Sequence, residues 1–81
     1  MPCDLLADEI HGVPRNLLRR RAVEAVPPAL RGALAGIELA AASPIVSLGL
    51  TVERVAWRAR WSRAGLPELS GFVPVWRGEV V

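Results

Sequence analysis

Leu50-Thr51-Val52-Glu53-Arg54-Val55-Ala56-Trp57-Arg58-Ala59-Arg60-Trp61 is the stretch on which the fold of this 81-residue chain turns. Thr51 is a good helix N-cap, because its hydroxyl accepts from one of the orphan amides of a first turn. Gly65, Leu66 and Pro67 then supply a left-handed cap, an apolar residue and a breaker in the order that ends a helix. These signals predict a helix over residues 52–64. Stepping about 100° per residue places Val52, Val55, Ala56 and Ala59 on one face, the expected core side. Trp57 and Trp61 fall on the opposite face, with Arg54 and Arg58 beside them. Two outward indoles need cover. It is expected either from Phe72 or Trp76 of the tail, or from a protein or nucleic-acid partner, for which Trp and Arg are favoured contact residues.

Working outward, residues 28–42 carry Leu30, Leu34, Ile37 and Ala41 at helical spacing, with Gly32, Gly36 and Ala40 on a second, small-residue face. Arg31 and Glu38 alone form a narrow polar strip, so a central core helix is expected, ended by Ser43-Pro44. Residues 45–50 suit a short strand, although so short an apolar run does not separate strand from helix. Upstream, Pro14 suits the first position of a helix over residues 14–25 with an apolar stripe of Leu18, Ala22, Ala25 and Val26. Pro27-Pro28 stops it. Asp4 caps a short first helix through Leu5, Leu6 and Ile10, ended by Gly12. The tail reads as a hairpin, residues 72–76 against 79–81 about Arg77-Gly78, with Pro74 demoting its first strand to an edge. The expected fold class is therefore mainly α: one small domain of about four helices with a short C-terminal β-hairpin.

Composition narrows the function. Half of the chain is apolar, at 52%, which excludes the disorder signature. All of the basic residues are Arg, giving a pI near 10.0 on a formal net charge of only +2. GC-rich coding explains an all-Arg set; recognition of phosphate or carboxylate by planar guanidinium forks is the functional alternative. Cys3 is the single cysteine, so no disulfide forms within the chain, and the acidic start at Asp4, Asp8 and Glu9 is not that of a secretory signal. A cytoplasmic protein is expected. His11 is the sole histidine and stands at no metal-ligand spacing to Cys3. Asp8 and Glu9 are adjacent and make a poor acid–base pair, and no phosphate-binding loop or nucleophile elbow is present. An enzyme is not expected, nor a cofactor or metal.

Leu50-Thr-Val-Glu-Arg-Val-Ala56, followed by Trp61-Ser-Arg63 and Leu66, resembles the helix-turn-helix of excisionase and MerR-type regulators. Ser70-Gly-Phe-Val-Pro74, Arg77-Gly78 and Val80-Val81 are similar to the wing of that family. The resemblance divides the chain into a helical part, residues 1–49, and a helix-turn-helix with wing, residues 50–81. It implies that Ser62 caps a recognition helix, that Arg63 contacts phosphate or a base edge, and that Arg77 contacts phosphate from the wing. Arg60 stands where the family's turn has Gly, and Gly65 and Pro67 fall inside the implied recognition helix.

The expected function is thus a small non-enzymatic regulator acting by binding, with DNA as partner through residues 50–81. The alternative is a protein-interaction subunit, such as an antitoxin, phage accessory or complex-assembly protein. Arg54, Trp57, Arg58, Trp61, Ser62, Arg63, Trp76 and Arg77 are the candidate contact residues, and a homo-oligomer is compatible with either. A single membrane span over residues 33–52 is a third, weaker reading, opposed by Glu38 and Pro44 within it.

Overall fold

The computed structural model describes residues 9–76 and 79–81. They form a mainly β protein, not a bundle of helices. In chain order the elements are β1 (Glu9–Ile10), β2 (Val13–Pro14), α1 (Arg15–Ala25), α2 (Pro28–Arg31), β3 (Leu34–Ser47), β4 (Leu50–Trp61), β5 (Ser70–Trp76) and β6 (Glu79–Val80). Strands β3 to β6 make one antiparallel meander in sequence order, and β1 pairs with β2. Cys3, the start of the helix expected from Asp4, and Arg77-Gly78 lie outside the described residues; the expected end of that helix does not form, because Glu9–Ile10 are strand β1 and Gly12 lies in the turn to β2. The C-terminal hairpin itself is present, with Trp76 opposite Glu79.

The helix expected over residues 52–64 does not form. Residues 50–61 are a strand, so their side chains sort with period two. Val55, Trp57 and Ala59 turn to one face and are buried, with partly buried Trp61 packed alongside them. Arg54, Ala56, Arg58 and Arg60 turn to the other. Residues 34–47, expected as the second half of a core helix, are the strand beside it, paired from Leu34↔Trp61 to Ser47↔Leu50. Helix after Pro28 lasts only through Arg31. After Trp61 comes an irregular bend, and no second helix starts at Ser62.

The expected helix over 14–25 is present, with Pro14 as its N-cap residue. Leu18, Ala22 and the following Val26 are fully buried and lie on Ile37, Val55, Val73 and Val75 of the sheet. At its C-terminus one side chain meets three carbonyls, of which that of Val23 also accepts from the Val26 amide at 3.0 Å. The Arg31 guanidinium donates to the carbonyls of Val23 at 3.1 Å, Glu24 at 3.1 Å and Val26 at 2.9 Å. A cation there also opposes the negative end of the helix dipole. Arg31→Ala is expected to lose about 1–2 kcal/mol of stability, and Arg31→Lys to recover only part of it, because an ammonium lacks the planar fork. Urea unfolding of the two variants checks this; equal midpoints with the parent would remove Arg31 from the cap.

Helix and hairpin differ in length, and this shapes the surface. An 11-residue helix is about 16 Å long, whereas the 14 residues of β3 extend about 45 Å. Strand β5 pairs with β4 only from Arg58↔Ser70 to Glu53↔Val75. Beyond a bulge between Ala42 and Ile45, the β3–β4 hairpin therefore continues as a two-stranded arm. It closes on Leu48-Gly49, both at positive φ (55° and 79°), the backbone of a two-residue type I′ turn. The described architecture is a slab, 39 × 39 × 16 Å, with α1 on one face of the sheet and the other face open.

Candidate interaction surface

The candidate contact residues do not share one face. Trp57 is only 5% exposed and belongs to the core between α1 and the sheet. Its cover is not the aromatic tail, since Phe72 and Trp76 lie on the opposite face of the sheet. Gly71, directly across from it on β5, leaves the space that the indole fills: a Cβ at Gly71 would stand 3.0 Å from Trp57 Cζ2 and Nε1. Trp61 packs against the same core, and its Nε1 donates to the Pro67 carbonyl at 2.9 Å. Ser62 ties the end of β4 to the start of β3, its amide and hydroxyl both donating to the Ala33 carbonyl at 2.8 and 3.0 Å. That is a structural bond and not a cap of a recognition helix. Arg63 is exposed in the bend after it. Arg77 lies outside the described residues.

Arg54, Arg58 and Trp76 do share a face, the open one, and three residues outside the expected contact set join them: Arg60, Phe72 and Glu38. Arg58 donates from Nε and Nη2 to Glu38 Oε1 at 3.1 and 2.8 Å, and its Nη1 lies 3.8 Å from Glu68. Arg60 Nε lies 3.7 Å from the other Glu38 oxygen. The Arg54 guanidinium serves the bulge: Nε and Nη2 donate to the Ser43 carbonyl at 3.0 and 2.8 Å. The bulge leaves an extra residue out of the ladder, and Arg54 satisfies its acceptor. The same guanidinium sits 4.3 Å from the centroid of Phe72, a cation–π contact. The open-face arginines are thus largely committed to a carboxylate, a carbonyl and a ring of their own chain.

Past Arg54 the face becomes apolar. No charged residue occurs from Leu39 to Val52. In the strand register Ile45 stands opposite Val52, and the next step of the β4–β5 ladder brings Trp76 to the other side of Val52. Ile45, Val52 and Trp76 so form a cross-strand row, with Leu50 one pleat closer to the tip. Leu50, Val52, Trp76, Glu79, Val80 and Val81 line a shallow groove of about 410 Å³. Leu48 at the tip is 99% exposed, Leu50 56% and Trp76 40%. The hydrophobic signal for this arm is present in the sequence. Its placement is not, because Leu48 is no turn former and hides the hairpin.

The described residues hold no group of His, Cys, Asp and Glu placed to bind a metal ion. His11 Nε2 lies 3.7 Å from Glu53 Oε1 near the β1–β2 turn. Among the described residues no helix is long and apolar enough to cross a membrane, and residues 33–52 are mostly strand. Comparisons with protein-family models, with curated proteins and with solved structures find no match to this chain.

Proposed function

We propose that this chain is a small non-enzymatic interaction subunit that binds another protein through the open sheet face and the β3–β4 arm. The observation that carries the proposal is the contiguous exposed apolar surface from Leu48 and Leu50 to Trp76 and Val81. Water-exposed apolar surface of this extent marks sites that a partner covers. A two-stranded ribbon is also only marginally stable by itself, and a partner would hold it.

Nucleic-acid binding is the second reading, and one observation favours it: Arg54, Arg58 and Arg60 share the open face with Phe72 and Trp76, a combination that stacks bases and meets phosphates. Against it, Glu38 lies between Arg58 and Arg60 and offsets their charge. One pair of measurements separates the two. Affinity for mixed duplex and single-stranded DNA is expected to be negligible at low salt. Capture of a stoichiometric protein or self-association is expected instead, lost in Leu50→Asp and weakly dependent on salt. DNA binding that falls steeply with salt, through release of counterions, would reverse the choice.

A further inference from the structure

We infer that the partner of the arm is a second copy of this chain, the two arms packing open face to open face about a two-fold axis at the level of Leu50. The inference rests on the binding reading above and adds the occupant.

Three observations carry it. The first is self-complementarity. Leu50 stands on the arm's open face between the turn, whose first residue is the fully exposed Leu48, and the row of Ile45, Val52 and Trp76 toward the body. A two-fold axis at Leu50 maps the tip of one arm onto that row of the other. Leu50 then meets Leu50, and each Leu48 enters the partner's groove beside Trp76. One patch holds both the knob and the hole, as an isologous interface requires. The second is charge. A two-fold axis brings like charges together wherever a charged residue lies near it; residues 39–52 contain none, and the one charged residue lining the groove, Glu79, sits on the edge strand β6 beyond Trp76. The third is area. At about 200 Å² for a large apolar side chain, the exposed fractions of Ile45, Leu48, Leu50, Trp76 and Val81, the residues within reach of the partner arm, amount to about 600 Å². A stable interface buries roughly 800 Å² on each partner.

The turn supplies an independent sign of selection for contact. Leu48 holds a left-handed backbone, φ 55°, where Asn, Asp or Gly is at ease and a branched apolar residue is strained. Local stability favours Asn at this position. Leu48 there makes sense as a residue kept for what its side chain touches.

Leu48→Asn should therefore split two properties that usually move together. Sedimentation velocity on the full chain, from about 1 to about 500 μM, is expected to show a monomer–dimer equilibrium for the parent. Leu48→Asn should weaken the dimer at least about tenfold, and Leu50→Asp should abolish it. At concentrations where both are monomeric, Leu48→Asn should melt higher than the parent, because Asn-Gly suits the turn. A parent that stays monomeric throughout, or a dimer that Leu50→Asp leaves intact, overturns the second-copy inference. If a different protein is then captured in a Leu50-dependent way, the binding reading stands without the dimer. If neither association depends on Leu50, both fail.

Discussion

Trp57→Ala is expected to lose about 3–5 kcal/mol of folding stability, a large share of the roughly 4–12 kcal/mol that a domain of this size carries. The indole is buried where β4 passes under α1, in one cluster with Val55, Val73, Leu18 and Ile37. A small domain has few such anchors, and its core has little to spare. Urea unfolding followed by far-UV circular dichroism gives the measurement. The paired control is Trp76→Ala, on the open face at 40% exposure. It should cost clearly less stability than Trp57→Ala and weaken self-association strongly. Parent-like unfolding of Trp57→Ala, with loss of binding in its place, would return Trp57 to the interface and contradict the position of β4.

Gly71→Ala should destabilise as well, against the usual sign. A Gly→Ala change at a permitted backbone angle ordinarily stabilises by about 0.4–1 kcal/mol, by restricting the unfolded chain. Gly71 has no left-handed backbone, so that gain would apply here. The added Cβ, however, would stand 3.0 Å from Trp57 Cζ2 and Nε1 and 3.1 Å from Cε2. An indole held on its other side by the core has no room to retreat, and overpacking of this kind costs about 1–3 kcal/mol. The cause is testable by a double-mutant cycle with Trp57→Leu. Once the indole is gone, Gly71→Ala should become neutral or stabilising, giving a coupling of about 1–3 kcal/mol. Additive effects would locate the strain elsewhere.

Much of the local punctuation was legible in the sequence. Pro14 and Pro27-Pro28 bracket α1, and of its expected stripe Leu18, Ala22 and Val26 are buried while Ala25 is exposed. Gly12 and Gly65 were read as left-handed residues, and both have positive φ, although Gly12 closes a β-turn with His11 and not a helix. The pairing of the last strands was also legible, although β5, expected as an edge because of Pro74, is an inner strand between β4 and β6. The absence of a catalytic set was an expectation from residue types, and it remains one.

Residues 50–61 show where such reasoning ends. A spacing of four puts Trp57 and Trp61 on one face in a helix and in a strand alike, so the indoles cannot discriminate. Their neighbours can. In a helix Val55 and Ala59 lie across from the indoles; in a strand they lie beside them. Val55, Trp57, Ala59 and Trp61 against Arg54, Ala56, Arg58 and Arg60 is a strand's alternation, set between a helix cap and a helix stop. Ala40-Ala41-Ala42 and the spacing of Leu30, Leu34 and Ile37 likewise favour a helix locally, because alanine is the best helix former and a poor strand former. The sequence by itself therefore determined the apolar content, the breaks at proline and glycine, the basic character without lysine, and the uncharged run from 39 to 52. Only the tertiary structure decided which period governs. A strand takes its stability from ladders and cross-strand neighbours distant in the chain, Glu38 beside Arg58 and Gly71 beneath Trp57, and no local propensity records them.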